Sequence, residues 1–415
     1  MTSGRRPLVR PTKIYLPTAE FAPKVAVVPK KSVPSGYWQN LEATNPYSFE
    51  LVMRDIIPCE GDCTDLATPV GRDRLDIMIS RGIYEYHREP AYYVYRVNDG
   101  QRIQTGIVAE VDASAYDRGL IKRHEHTRQH SEDALVDALR RIQANSYPMC
   151  MTYRNAGINA LIDRLTEEEP IIDFLGGDGV RQSVWKIAAG AAVTELESCL
   201  DNIEALYITD GHHRAAAGAA LARETAATHP DATGNEPFNY VMGVIYPSQQ
   251  LRLVEYNRLV TDLGGLTEVE FVQRVSERLE VERIHPDTPD EAKPTKPGTF
   301  GMHVGNKWYR LTVPEELLDA DDPYSSLDVV LLNNLVLGPI LGISDPRTSE
   351  RLEYVPGTVP VEYVASQDAA GAFFVVHPTS IDQVAAVADR GLVMPPKSTW
   401  FLPKITSGLF VRLLD

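Results

Sequence analysis

The sequence has 415 residues, of which 43% are hydrophobic and 24% charged, with a formal net charge of −16. That length exceeds one typical core and suits two domains, and the apolar fraction excludes wholesale disorder. The acidic surplus disfavours bulk binding of nucleic acid, which calls for a basic surface, but leaves room for a small anion in a local basic pocket.

The N-terminal MTSGRRPLVRPTK lacks the apolar core of a signal peptide, and no run approaches the ~18 apolar residues of a membrane span. A cytoplasmic protein with no membrane partner is expected. The stretch to about Pro34 is rich in Pro, Lys and Val and reads as extended. Cys59 and Cys63 are close-spaced, but no second Cys or His pair follows at zinc-finger spacing, so they read as ordinary thiols beside a turn. Tyr92–Arg96 alternates, Asn98-Asp99-Gly100 is a tight-turn signal, and Ile107–Val111 is β-branched: two strands of a hairpin. Ser131 is placed to cap a helix running through Leu135, Leu139 and Ile142. Pro148–Tyr153 reads as a buried strand. Ile158–Leu165 and Ala191–Leu200 read as helices. Ala205–Thr209 is a short strand, Ala215–Thr228 a helix, and Phe238–Tyr246 with Leu251–Val260 a strand pair.

From Pro286 to Pro297 prolines and charges predict a solvated loop. Strands follow near Gly301–Val313, then an apolar helix over Leu327–Leu341, a strand at Phe373–Val376 and a helix at Ile381–Arg390. Strands and helices mix without strict alternation, which predicts a mixed α/β (α+β) class. The expected organisation is an N-terminal phosphate-binding domain over residues 1–265. A C-terminal α/β domain over 266–415 would return the MPPKST segment toward the site.

Three constellations carry chemistry. In LYITDGHHRAAAG an apolar strand ends at Asp210 and an alanine-rich helix begins within five residues. Gly211 permits a sharp bend. The helix start offers unpaired N–H groups and a positive dipole end, an anion site before any side chain is counted. Arg214 adds a bidentate donor, and His212 and His213 add two more. Asp210 repels a phosphate unless it holds Mg²⁺ or handles a proton, so the combination predicts phosphate chemistry. The competing readings are a satisfied turn capped by Asp210, and a metal site through His212 and His213. In Lys122-Arg-His-Glu-His-Thr-Arg128, Glu125 lies among Lys122, Arg123 and Arg128, where a carboxylate stays ionised and can take a proton. The alternatives there are a solvated charge run, or a zinc half-site through His124 and His126. Gly391 to Ser398 nearly spells a phosphate-binding loop, but Pro396 replaces the second glycine and has no N–H, which excludes that nest. Lys397, Ser398 and Lys404 can still reach a ligand from the turn. Gly176-Gly-Asp-Gly179 lacks dinucleotide-binding spacing.

The segments Asn45-Pro-Tyr-Ser-Phe49, Lys122–Thr127, Asp210–Arg214, and Met394–Thr399 with Phe401, Pro403 and Lys404 together resemble the domain-of-unknown-function family ten-fifteen. That family is grouped with free serine kinases on a ParB/sulfiredoxin-like phosphate-binding fold. The resemblance implies a kinase that transfers a phosphoryl group from ATP or ADP, with Mg²⁺ on Asp210, to a small hydroxyl acceptor, free L-serine first. It implies Glu125 as the base and Asp210 near the phosphates. Gly211, His212, His213, Arg214, Arg123, His124, Thr127, Lys397 and Ser398 would bind nucleotide, and Asn45, Ser48, Asn257 and Arg258 the acceptor. The chain departs from the family pattern at Pro29-Lys30-Lys31, where Pro-Tyr-Asp is usual, and at Glu255-Tyr-Asn-Arg258, where Pro-x-His-Arg is common. The remaining readings are a non-catalytic sensor of nucleotide or phosphoserine, a nucleic-acid binder, which the charge opposes, and a metal-dependent phosphoester hydrolase.

Overall fold

A computed structural model describes residues 6–28, 44–53, 70–154, 157–319, 321–366, 371–402 and 404–414. Lys30, Lys31, Cys59 and Cys63 lie outside them. The chain forms two units, both discontinuous in sequence. The first comprises residues 1–122, 127–251 and 403–415, and the second 123–126 and 252–402. The crossing after residue 251 precedes the boundary expected at 265, and the last residues return to the first unit rather than ending the second.

The first unit is a mixed α/β body. Its main sheet runs, in spatial order, Ile121–Lys122, Leu206–Asp210, Met149–Tyr153, Tyr240–Pro247, Ile103–Asp112, Tyr93–Asn98, Arg181–Lys186 and Ile172–Leu175, with Val9–Arg10 also paired to Ile103–Asp112. The hairpin forms as the sequence predicts. Tyr93 stands opposite Val108, and the Asp99 carboxylate accepts the Gln101 and Arg102 N–H groups to close the turn. Tyr240–Pro247 is buried along its whole length, between a parallel partner at Met149–Tyr153 and an antiparallel one at Ile103–Asp112. A strand covered on both faces shows a continuous apolar run rather than alternation.

Helix His212–Thr228 buries Ala215, Ala216, Ala217, Gly218 and Ala219. Small residues bring the helix close to the sheet: a Cβ at Gly218 would stand 2.3 Å from Val241 Cγ1. The helix starts three residues earlier than expected, because Gly211 turns the chain directly out of the strand. Helix Gln129–Ile142 begins two residues before Ser131. Arg128 is the capping position and no side chain caps it, so Ser131 lies within the first turn instead of capping the helix.

The second unit carries an antiparallel sheet in the order Glu280–Ile284, Lys307–Thr312, Thr299–Val304, Ala372–Val376, Tyr256–Val260 and Leu352–Pro356. Phe271, Phe300, Phe374 and Leu332 are in its core. Helices Glu268–Ser276 and Ile381–Asp389 both open on capping boxes, Thr267 with Glu270 and Ser380 with Gln383. The helix expected over 327–341 is regular only across Asp328–Leu332. Beyond it the coil widens, and Gly338 N–H reaches back five residues to the Asn333 carbonyl. Phe238–Tyr246 and Leu251–Val260 are not a strand pair. Arg252–Val254 pairs with Trp400–Leu402, and Tyr256–Val260 inserts between Ala372–Val376 and Leu352–Pro356. The break falls at Glu255, which belongs to neither strand. Among the described residues no helix is long and apolar enough to cross a membrane.

Candidate functional site

The Asp210–Arg214 turn grows out of a strand that is irregular at its end: the register against Met149–Tyr153 shifts between Ile208 and Asp210, leaving Asp210 opposite Cys150. Gly211 has φ 97°, the left-handed region that side chains disfavour, and a Cβ there would meet Arg214 Nε at 2.6 Å. Glycine is therefore needed twice, for the bend and for the guanidinium that folds back over it. Arg214 Nη2 donates to Asp210 Oδ2 at 2.5 Å, and Lys404 Nζ donates to Oδ1 at 2.6 Å from a point 194 residues away in sequence. The Arg214 guanidinium lies 3.6 Å from the Tyr147 ring centroid. Burial alone would raise the Asp210 carboxyl; the Lys404 ammonium and the Arg214 guanidinium outweigh it and hold the carboxyl well below the usual carboxylate range. Burial pushes the Tyr147 hydroxyl and the Cys150 thiol each up to about 12, so both stay protonated at neutral pH. Arg214 and Tyr147 also border an apolar cavity of about 80 Å³ walled by Met53, Leu135, Leu139 and Ile142.

The two histidines differ. His212 is buried, 6% exposed, in the first turn of the helix. His213 is half-buried, and its Nε2 accepts the Arg128 N–H at 3.1 Å, which leaves Nδ1–H as its donor. That contact ties the residue after Thr127, itself half-buried, to the turn. Lys122 pairs with Tyr207 on the strand leading into it. Asn45 and Ser48, also in the first unit, are engaged locally. Asn45 Nδ2 donates to the Lys24 carbonyl at 2.6 Å, and Ser48 Oγ accepts from Glu50 N–H. These contacts shape a loop.

The arrangement does not fit a resident magnesium ion. Both oxygens of Asp210 already face cations, and among the described residues no three His, Cys, Asp or Glu side chains gather to hold a metal. The same holds for the histidine half-sites at His212 with His213 and at His124 with His126.

The second unit collects the remaining candidates. His124 is buried, its Nε2 3.1 Å from Thr399 Oγ1 and its carbonyl accepting the Met394 N–H at 2.8 Å. Residues 123–126 and the MPPKST segment are thereby stitched together within that unit. Arg123 is exposed and Glu125 half-buried. Burial raises the Tyr256 hydroxyl, Arg258 opposes the rise, and Glu125 and Tyr354 add to it, which places Glu125 on the Tyr256 side of the unit. Lys397 is exposed, holds the left-handed φ of 56° without being glycine, and puts Nζ 6.0 Å from the Tyr256 ring centroid. Ser398 is buried and its Oγ donates to the Pro395 carbonyl, so its hydroxyl shapes the turn. Asn257 Oδ1 accepts the Val376 N–H, which fixes it as a sheet residue, while Arg258 points from the same strand with 3% of its surface exposed.

The structure thus brings together Asp210, Gly211 and Arg214 with Lys404 and Tyr147 in the first unit. It brings Glu125, Arg258 and Lys397 around Tyr256 in the second. Tyr147 belongs to no spaced motif and Tyr256 fills only the variable position of Glu255-Tyr-Asn-Arg258, so their placement beside a buried arginine is what marks them.

A family model described as a protein of unknown function (DUF1015) matches residues 9–330. Among solved structures, a mutant of free serine kinase in complex with AMP is similar at 14% identity and TM-score 0.36, over 76% of this chain and 88% of that one. A mutant in complex with ADP is similar at 16% identity and TM-score 0.33, over 68% and 84%. SbnI with a C-terminal truncation, from Staphylococcus aureus, is similar at 13% identity and TM-score 0.39, over 74% and 87%. No curated protein matches the chain.

Proposed function

We propose that this chain, which belongs to the DUF1015 family of proteins of unknown function, binds the phosphates of ATP or ADP at the Gly211–Arg214 turn. In this reading it transfers a phosphoryl group to a small hydroxyl acceptor, free L-serine first. The observation that carries the reading is the pair of cations, Arg214 and Lys404, held by one aspartate at the start of a 17-residue helix. Two positive groups on one carboxylate leave a local surplus of positive charge, beside N–H groups and a dipole end that favour anions. Asp210 keeps both cations in place until phosphate oxygens take over part of their coordination. Phosphoryl transfer needs positioning and charge neutralisation more than covalent help. Arg214 and Lys404 would supply the neutralisation. The acceptor oxygen forms the new bond to phosphorus, the bond to the nucleotide breaks, and Glu125 takes the acceptor proton. The choice of nucleotide and of serine comes from the family resemblance of the motifs.

Calorimetry on the full chain tests the binding half. ATP or ADP should bind, and Arg214→Lys should weaken binding by about 1–3 kcal/mol, because a point charge replaces a planar fork. Unchanged affinity in that variant sinks the phosphate assignment. A panel of hydroxy amino acids with coupled nucleotide consumption tests the transfer. Glu125→Gln should slow it by about 10²–10⁴-fold with nucleotide still bound. One observation favours a second reading, a nucleotide sensor without turnover: Asp210 is locked in two ion pairs and kept ionised, which suits a clamp better than a proton carrier. Tight nucleotide binding with no consumption across the panel would establish that reading.

A further inference from the structure

We infer that the cavity bounded by helices Gln129–Ile142 and His212–Thr228 is a binding site for a short-chain aliphatic carboxylate. The cavity lies wholly within the first unit and measures about 80 Å³. Leu135, Ala138, Leu139 and Ile142 line it from one helix, at the i, i+3, i+4, i+7 spacing of a single helical face. Ala217 of the other helix and Val241 of the sheet also line this apolar part. Both helices contribute buried alanine here, Ala138 and Ala217, and neither side chain is long enough to fill the space. Protein interiors are close-packed, with few voids larger than a water molecule. A space of this size beside two helices is therefore a departure that a ligand explains.

The lining says what kind of ligand. An apolar cavity of about 150 Å³ takes benzene, so one of 80 Å³ holds a hydrocarbon body of about three to four carbons. The polar lining is confined to Asn145, Ser146, Tyr147 and Arg214. Arg214 Nη2 is engaged by Asp210, but Nη1 is enclosed and has no hydrogen-bond partner among the described residues. A buried donor left unpaired is costly, and more so on a charged group. A ligand with an anionic oxygen at one end satisfies Nη1 while its carbons fill the apolar part. The choice of carboxylate over alcohol follows from charge: Arg214 and Lys404 bring two cations against the single carboxylate of Asp210. Met53 and Met149, flexible thioethers, let the wall adapt to the ligand. Leu135 and Leu139 are only half-buried, which leaves a route inward along helix Gln129–Ile142. The site itself does not depend on the function proposed above; its coupling to nucleotide does, because the same guanidinium serves both.

The full chain is titrated by calorimetry, without nucleotide, against isobutyrate, isobutanol and formate. Isobutyrate should bind. Isobutanol, which lacks the charge, and formate, which lacks the body, should each bind roughly tenfold or more weakly. Isobutyrate should also shift the methyl resonances of Met53 and Met149, and formate should leave them in place. Ala138→Leu, which fills the cavity, should lose isobutyrate binding. Leu139→Phe, at the half-buried mouth, should do the same without altering a buried position. Saturating isobutyrate should weaken ADP binding, and ADP should weaken isobutyrate binding by the same factor. Isobutanol or formate binding as tightly as isobutyrate overturns the proposal, as does full isobutyrate affinity in folded cavity-filling variants. Equal ADP affinity with and without isobutyrate overturns the placement of the carboxylate on Arg214. ADP binding with no binding of isobutyrate overturns this site alone. Isobutyrate binding with no binding of ADP overturns the phosphate assignment and leaves this site standing.

Discussion

Two aspartates bracket what burial does to a carboxyl group here. Asp210 is held ionised by two cations, so its folded value lies below its unfolded one. Its contribution to stability is then complete above about pH 4 and is lost as pH falls below that. Asp210→Asn should flatten the acid limb of a melting-temperature profile. At neutral pH, without ligand, it should also destabilise by about 1–3 kcal/mol, because Arg214 and Lys404 would face each other unscreened. Saturating ADP should restore part of that loss; no loss at all would mean the two ion pairs contribute nothing. Asp328 is the opposite case. Burial pushes it up to about 7, against the pull of backbone N–H groups from Gly298 and His377. A raised folded value means the stabilisation is present below about pH 4 and disappears as pH rises through 7. Stability should therefore decline between about pH 4 and pH 7 and level off above, and Asp328→Asn should remove that slope in a denaturant titration.

At the scale of elements, local chemistry explains which helices and strands were legible. The hairpin at Asn98–Gly100 and the two capping-box helices carry their own start and stop signals. Helix Gln129–Ile142 is different: its first residue follows an N–H that bonds His213, and Ser131 had no way to announce that. The run Leu251–Val260 reads as one extended segment, yet it changes partners at Glu255. Periodicity records burial and says nothing about which strand lies alongside. The site divides in the same manner. Asp210, Gly211 and Arg214 were legible because a glycine between strand and helix imposes a geometry. The cation on the other oxygen of Asp210, and the burial of Arg258 with no carboxylate paired to it among the described residues, are properties of the folded arrangement. Arg412 shows how far such arrangements reach. It is fully buried, pairs with Glu110 at 2.7 Å, and donates to the Tyr240 and Pro237 carbonyls. Arg412→Ala should cost roughly 2–3 kcal/mol by chemical denaturation, less than the ~3–5 of a wholly orphaned buried pair, because Arg10 stays on Glu110.

For the whole molecule, neither unit is a single stretch of chain. Residues 123–126 belong with 252–402, and the last segment belongs with the first unit. That segment supplies Lys404 to Asp210 and Arg412 to Glu110, and pairs Arg412 and Leu413 with Asn145 and Ala144. Its order of manufacture follows. On the ribosome, residues 252–402 emerge before residues 404–414, an interval of roughly 8–30 s at ~5–20 residues per second. Throughout that interval the earlier-made sheet has Glu110 without Arg412 and Asp210 without Lys404, and by its end the later-made sheet has all its strands. The usual sequence, in which the portion translated first matures first, is reversed: the second unit can finish while the first still waits. Released chains truncated after residue 402 should resist limited proteolysis across 252–402 and be cut within 127–251. Equal protection of both would show that the final strand is an ornament to the first unit and not its closing piece.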